Sequence, residues 1–272
     1  MLKKVFNIFN QFIFMIILIV FTLLFVLNIT ICNKDYIIRK MDNYKYFSKL
    51  TIDIREEIQN YTIQSGFSKE LFDDVFTEDN VRNDIIMIIN NYYDNKNVEI
   101  DNTTLTEKLN DKINTYLQEK NVKADSRDLE KFNNMVCYAY KTKLTIGNNL
   151  KYINKLNIIS KVNLVLLPIL FLCMLATFII KLIKRKPEFF ISPIFAASLI
   201  FIFIDIYVKN KIDIDNILIF GSNFSIILRS IIYSILKYIK LLGIVGLIIS
   251  ILLLVILNIK RIKTCFFYKK VV

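Results

Sequence analysis

The sequence contains no histidine and no tryptophan, and it has only 5 glycines and 3 prolines in 272 residues. Without histidine the chain lacks the commonest general acid–base side chain, any Ser-His or Cys-His nucleophile pair, and the commonest metal ligand. It also has no GxSxG, HExxH or glycine-rich phosphate loop. We therefore expect a protein that is not an enzyme, with no cofactor and no bound metal.

Cysteine is sparse as well. The four cysteines are Cys32, Cys137, Cys173 and Cys265, and no CxxC spacing indicates a metal-binding or thioredoxin-like motif. Cys173 falls inside an apolar run and Cys265 follows the last one, so Cys32 and Cys137 are the only candidates for a disulfide. We expect free thiols.

Arginine is scarce beside lysine, with 7 arginines against 29 lysines, while asparagine and isoleucine are abundant. This bias is typical of an AT-rich genome. A low-GC bacterium is the favoured source, because the long asparagine repeats of AT-rich eukaryotic parasites are missing.

Long apolar runs are what the sequence has in abundance. Hydrophobic residues make up 54% of the chain, above the range of soluble globular domains. Four blocks of about 19–20 apolar residues, at 12–31, 162–180, 189–208 and 241–259, stand between charged flanks. At 1.5 Å per residue, each block matches a hydrocarbon core of about 30 Å. The sequence therefore predicts an integral membrane protein, with the lipid bilayer as a partner.

The formal net charge of +12 is unevenly distributed. Residues 33–158 contain 19 Lys and Arg against 20 Asp and Glu, a net charge of −1. The remaining residues contain 17 against 4, a net charge of +13. The excess flanks the apolar blocks, where positive charge sets membrane orientation. We therefore expect no nucleic-acid partner.

The same charges predict the topology. Basic residues cluster at Lys3 and Lys4, at 184–186 and in 260–272. The positive-inside rule places these segments in the cytoplasm and residues 33–158 outside. No A-x-A-like cleavage site follows the first block, and the bulky Ile31 disfavours lipoprotein processing. We expect an uncleaved signal anchor in a plasma membrane.

The predicted fold class is an all-α integral membrane protein with four transmembrane helices and an all-helical extracytoplasmic domain between helices 1 and 2. The predicted segments are a cytoplasmic N-terminus (1–11), transmembrane helix 1 (12–32), the extracytoplasmic domain (33–158), transmembrane helix 2 (159–183), a cytoplasmic loop (184–188), transmembrane helix 3 (189–208), an outer loop (209–223), an amphipathic outer or interfacial helix (224–240), transmembrane helix 4 (241–259) and a basic cytoplasmic tail (260–272).

Helical periodicity dominates residues 33–158. Apolar residues recur three and four positions apart in five or six stretches, which is typical of amphipathic helices around a shared core. Thr77 is a predicted N-cap, and Gly66 stands at a predicted helix end. Ser68 is expected to start a short helix that carries Phe72, and residues 98–100 are expected to be extended.

Two features of this domain admit a second interpretation. Its aromatic residues could line a binding site, although stripes at helical spacing are more often core. The carboxylates Asp73, Asp74, Glu78 and Asp79 could bind Ca²⁺. They lack the D-x-D-x-D-G loop pattern, and acidic residues are favoured at helix starts. We expect core packing and solvated helix ends.

Asp205 is the one acidic residue inside an apolar block. An intramembrane carboxylate is a candidate proton or ion site, but Lys209 four residues later predicts a structural ion pair. Both roles, structural and coupling, stay open. Four more polar residues are expected at a similar depth and complete a candidate polar ring at the outer interface: Asn28, Lys161, Asn163 and Lys240.

The segment before the last span is longer than a membrane needs. Its pattern stays helical for 36 residues, 224–259, which is about 54 Å. Arg229, Tyr233 and Lys237 line one side of its first half, opposite isoleucines. This predicts an interfacial helix that lies on the membrane surface or contacts the outer domain.

Small residues predict how the last two spans pack. Gly243 and Gly246 share one face of the fourth span, and Ser192 and Ala196 lie on the third. Small residues at such spacing allow two helix backbones to approach closely.

The favoured function is a non-enzymatic membrane protein whose outer domain binds or senses an envelope partner or ligand, with a membrane or envelope protein as the partner. The order of one span, an outer domain and three spans resembles the topology of four-span ABC-transporter permeases. That resemblance implies the alternative, an accessory or permease-like transporter subunit. Loop 184–188 is shorter than the cytoplasmic coupling helix of such permeases.

Overall fold

Helices account for most of the residues that the structure describes. The computed structural model describes residues 2–94, 96, 103–144, 150–218 and 222–269, with side chains except at 150–157, 222 and 260–269. Within these residues the protein is all-helical and has no strand, as the sequence predicts. The described helices are α1 (Leu2–Ile29), α2 (Lys34–Asn43), α3 (Tyr46–Gln64), α4 (Glu78–Tyr93), α5 (Thr103–Lys120), α6 (Ser126–Leu144), α7 (Leu150–Ile183), α8 (Ile191–Lys211) and α9 (Ser222–Lys269).

The chain forms two units. The apolar unit comprises Met1–Cys32, Ile159–Ile217 and Arg229–Val272, and the globular unit comprises Asn33–Ile158 and Leu218–Leu228. Helix α9 contributes to both, because its first turns belong to the globular unit and the rest to the apolar unit.

Four helices of the described chain are long and apolar enough to cross a membrane: Leu2–Ile29, Ile158–Ile183, Pro187–Lys211 and Asn223–Ile259. Helix α7 exposes large apolar side chains along most of its length. Such surfaces are unfavourable in water and favourable in lipid. The four helices therefore indicate a membrane-embedded protein.

Helix α8 is the most buried of the four apolar helices. Helix α1 packs along it, and Val26, Ala197, Phe201 and Ile239 form a buried cluster contributed by α1, α8 and α9. A second cluster joins Phe14 to the 3₁₀ turn Pro187–Phe190, with the Phe14 and Phe190 ring centroids 5.3 Å apart.

Helix ends differ from the ends of the apolar blocks. Helix α1 starts at Leu2, ahead of the predicted first span (12–32), because Lys3, Lys4 and Gln11 are good helix formers although lipid disfavours them. The helix ends at Ile29. Immediately beyond it, the Thr30 hydroxyl donates a hydrogen bond to the Val26 carbonyl over 2.6 Å.

The predicted interfacial helix (224–240) and fourth span (241–259) form one continuous helix, α9. No proline separates them, and a glycine such as Gly243 costs a helix only about 1 kcal/mol. The connection before α9 is shorter than the predicted loop 209–223, since α8 continues to Lys211.

Helices α3–α6 bury the apolar faces that their periodicity predicts, including Phe47, Ile54, Ile85, Leu109 and Ile113. Asn33 caps α2 by accepting backbone N–H bonds from Asp35 and Tyr36. Thr77 caps α4 by accepting the Asn80 N–H over 3.3 Å. After α3, Gly66 adopts a φ of +81°, which glycine reaches without strain.

The segment after Ser68 forms successive turns instead of the predicted short helix. Phe72 and Phe76 are nevertheless buried in the core. The Arg55 guanidinium donates hydrogen bonds of 2.7 Å to the Asp73 and Phe76 carbonyls, which satisfies acceptors that a longer helix would use. The predicted extended piece 98–100 lies outside the described residues.

The start of α9 packs into the globular unit. The Asn223 amide donates a 2.8 Å hydrogen bond to Asp53 Oδ2 on α3. The Phe224 ring lies edge-on to Tyr46, with centroids 6.4 Å apart, and Ile227 is fully buried. These contacts extend the globular unit beyond the predicted segment 33–158.

Candidate functional site

Asp205 is a buried carboxylate held between two lysines. It lies near the C-terminal end of α8, and its side chain is 2% exposed. Lys209 Nζ lies 2.6 Å from Oδ1, one turn further along the same helix. Lys240 Nζ, from α9, lies 3.5 Å from Oδ2. Because an unpaired buried charge is costly, the two ammonium groups compensate a carboxylate that the apolar unit keeps away from solvent.

The close approach of α8 and α9 depends on two glycines. A Cβ atom at Gly243 would lie 2.9 Å from the Ser198 carbonyl oxygen, and one at Gly246 would overlap the Ser198 hydroxyl. The predicted glycine face of the last span therefore does pack on α8. Its partner there is Ser198, whereas Ser192 is exposed and Ala196 is half-buried.

The structure brings only part of the predicted polar ring together. Asp205 forms an ion pair with Lys240. Asn163 is fully buried at another place, where its amide donates a 2.9 Å hydrogen bond to the Leu24 carbonyl of α1. Asn28 and Lys161 are exposed, and neither side chain forms a hydrogen bond or ion pair with another described residue. Lys209, outside the predicted ring, is the closest partner of Asp205.

The three polar residues of the predicted interfacial helix do not act alike. The Arg229 guanidinium donates to the Ile217 carbonyl over 3.1 Å, and the Tyr233 hydroxyl donates to Asp215 over 3.0 Å. Lys237 is exposed. Arg229 and Tyr233 thus fasten the connection between α8 and α9 to the side of α9.

The globular unit contains a recess of about 280 Å³, named here the α4–α6 recess. Helices α4, α5 and α6 and the turn before α4 form its walls. The lining residues are Val75, Phe76, Asn80, Asn83, Asp84, Met87, Thr104, Leu105, Lys108 and Tyr140.

Hydrogen bonds fix two walls of the α4–α6 recess. The Tyr140 hydroxyl donates a 2.6 Å hydrogen bond to Asp84 Oδ2, and the Asn80 amide donates to the Val75 carbonyl over 2.9 Å. Burial, together with the neighbouring Asp84 carboxylate, raises the pKa of Tyr140 well above its usual range. Tyr140 is therefore a neutral hydrogen-bond donor throughout the physiological pH range.

Exposed polar side chains of the α4–α6 recess are available to a ligand. The side chains of Asn83 and Lys108 form no hydrogen bond or ion pair with any other described residue. An amide and an ammonium beside Phe76, Met87 and Leu105 can accept a ligand that presents a carboxylate or amide next to an apolar group.

Sequence reasoning missed most of the α4–α6 recess. Tyr140 was one of the aromatic residues that could line a binding site, although core packing was favoured, and Asn83 and Lys108 resembled any other exposed helix residues. The residues are brought together by the packing of three successive helices and the turn before α4. No sequence spacing marks such a site.

The structure offers no metal centre within its described residues, where no three His, Cys, Asp or Glu side chains cluster suitably. Two carboxylates of the acidic cluster instead have protein partners. Gln59 donates to Asp73 Oδ1 over 3.1 Å, and Lys112 forms an ion pair with Asp74.

Comparison of this chain with protein-family models, curated proteins and solved structures finds no match.

Proposed function

We propose that this chain is a non-enzymatic multi-pass membrane protein whose globular unit binds an envelope protein at the α4–α6 recess. The observation that carries the proposal is the recess itself, a preformed concavity with fixed walls and two available polar groups. Sites for ligands and partner side chains are typically concave, mostly apolar and lined by a few placed polar groups.

The proposal includes the orientation. The globular unit is outside and both termini are in the cytoplasm, because Lys3, Lys4 and residues 184–186 give one side of the apolar unit its positive charge. The partner is therefore a protein that faces the outer side of the plasma membrane of a low-GC bacterium.

The chemistry of the recess describes the partner segment. Lys108 provides a positive charge, Asn83 a donor and an acceptor, and Met87 and Leu105 an apolar wall. We expect a short polypeptide segment with an acidic or amide side chain beside an apolar one. A volume of about 280 Å³ is small for a whole ligand and suits the side chains of such a segment.

Helix α9 is the element that we propose transmits the effect of partner binding from the globular unit to the apolar unit. Its first turn is fastened to the globular unit through Asn223 and Phe224, and the same helix continues through the apolar unit. A shift of α3 on partner binding would act on Asp53 and hence on the start of α9.

The transporter-subunit alternative has less support. Residues 184–186 are all that separate α7 from the 3₁₀ turn Pro187–Phe190. A coupling helix that reaches an ATPase needs several turns, and this connection has no room for one.

Site-specific photo-crosslinking in the native membrane tests the proposal. A benzoylphenylalanine at Met87, which lines the recess and is 40% exposed, should crosslink one discrete envelope protein. The matched control replaces Met135 on α6, which is 47% exposed and outside the recess. Its yield should be lower by about fivefold or more.

Lys108→Glu provides the second comparison, because reversing this charge should repel an acidic partner segment and reduce crosslinking at Met87. Equal yields at Met87 and Met135, or no effect of Lys108→Glu, would contradict the proposal. A crosslinked permease subunit would favour the transporter-subunit alternative.

A further inference from the structure

The apolar unit contains a recess with an unusual concentration of positive charge. This basic recess has a volume of about 980 Å³ and is lined by five lysines, Lys3, Lys4, Lys181, Lys184 and Lys186. The other lining residues are Leu2, Phe6, Asn7, Ile8 and Asn10. No carboxylate lines it, so the five ammonium groups have no negative counterpart among the lining residues.

The apolar unit also contains an apolar groove of about 600 Å³, and on α1 its Phe14 follows Asn10 of the basic recess by one helical turn. Its twelve lining residues are all apolar, and they come from α1, α7, α8, α9 and the turn Pro187–Phe190. At the end of α7, residues that line the two cavities are neighbours along the chain. There Leu182 of the groove stands between Lys181 and Lys184, and Pro187 of the groove follows Lys186.

Lys181 connects the two environments. Its Nζ lies 3.9 Å from the centroid of the Phe189 ring, and Phe189 packs against Phe190, which lines the groove. This contact holds a positive charge at the edge of the apolar groove instead of leaving it free to extend into water.

We infer that the basic recess and the apolar groove together bind one anionic phospholipid, with its phosphate among the lysines and its acyl chains in the groove. Charge complementarity selects an anion, and the adjoining groove selects one that carries hydrocarbon chains. A water-soluble anion or an acidic protein segment would occupy the basic recess and leave the groove unused. The inference does not depend on the function proposed for the globular unit.

Native mass spectrometry of the delipidated full-length protein tests this inference. Phosphatidylglycerol should bind about tenfold or more tightly than phosphatidylcholine with the same acyl chains, because only the former is anionic. The triple variant Lys181→Gln, Lys184→Gln, Lys186→Gln should weaken phosphatidylglycerol binding by about tenfold or more. The charge-matched control is Lys69→Gln, Lys120→Gln, Lys123→Gln, three exposed lysines of the globular unit, which should bind like the wild type.

A chain-length comparison keeps the test independent of any variant. In the wild type, phosphatidylglycerol with six-carbon chains should bind about tenfold more weakly than the dioleoyl lipid, since short chains fill less of the groove. Equal affinity for both, or displacement of the lipid by millimolar inorganic phosphate, would assign the recess to a soluble anion. Displacement by hexaglutamate would assign it to an acidic protein segment. Each of these results, or an unchanged affinity in the lysine triple variant, overturns the inference.

Discussion

At the scale of single residues, Asp205 is a buried carboxylate whose charge two neighbouring lysines compensate. The carboxylate is 2% exposed, whereas its partners Lys209 and Lys240 are 40% and 46% exposed. The lysines can therefore remain solvated without Asp205, but Asp205 cannot remain charged at low cost without a lysine. This asymmetry favours a structural role for the pair.

Either lysine should therefore compensate for loss of the other. Lys209→Met and Lys240→Met should each reduce the free energy of unfolding by about 1 kcal/mol. The double variant should cost about 3 kcal/mol or more, because the buried carboxylate is then unpaired. Unfolding in mixed micelles measures these values. Adding Asp205→Asn to the double variant should restore stability, and a fully additive double variant would count against the structural role.

Tyr140 gives the stability of the globular unit a pH dependence. Burial and the Asp84 carboxylate raise its pKa in the folded state. The contribution of Tyr140 is fully present below its unfolded pKa of about 10 and decreases as pH rises above it. Where Tyr140 is ionised in the unfolded state and neutral in the folded state, the free energy of unfolding falls by about 1.4 kcal/mol per pH unit.

Thermal unfolding of the full-length protein between pH 9 and pH 12 should show this slope. The melting temperature should fall most steeply in the wild type, less in Asp84→Asn and least in Tyr140→Phe. A wild-type slope equal to that of Tyr140→Phe would show that Tyr140 does not ionise differently in the two states.

At the scale of helices, the packing of α8 on α9 depends on what each glycine faces. Gly246 faces the side-chain hydroxyl of Ser198, and this hydroxyl also donates a 2.7 Å hydrogen bond to the Ile194 carbonyl. Gly243 faces the Ser198 carbonyl oxygen, a backbone atom. A hydroxyl can be deleted by mutation, whereas a backbone carbonyl cannot.

A double-mutant cycle distinguishes these two contacts. Gly246→Ala should destabilise the protein by about 1–3 kcal/mol through overpacking, and Ser198→Ala should rescue it. Ser198→Ala should not rescue Gly243→Ala, which still meets the carbonyl oxygen. Unfolding in mixed micelles again provides the measurement. Rescue of both glycine variants, or of neither, would contradict the described interface.

The same helices show how far sequence predicts structure. Hydropathy located all four apolar helices and periodicity predicted the buried faces of α3, α4 and α6, because both signals are local. Hydropathy also placed Asn28, Lys161 and Asp205 at a similar depth. It could not give the direction of each side chain around its helix axis, which decided that Asp205 is buried and the other two are exposed.

At the scale of the whole molecule, each of the two units carries one of the proposed binding sites. The globular unit carries the α4–α6 recess for a protein partner, and the apolar unit carries the basic recess and apolar groove for an anionic lipid. The first unit is nearly neutral while the second is strongly basic, as the charge distribution along the sequence predicts. The recesses themselves were not predictable, since each depends on how its helices pack, which no local sequence pattern gives.

Orientation is the central claim, because it fixes which side of the membrane the globular unit faces. Lys96 and Lys186 are both exposed, one in each unit. The measurement uses Lys96→Cys and Lys186→Cys in a chain whose four native cysteines are replaced by serine. A membrane-impermeant maleimide added to intact cells should label the cysteine at position 96 and not that at 186, and both after permeabilisation. Labelling of position 186 but not 96 in intact cells would contradict the account.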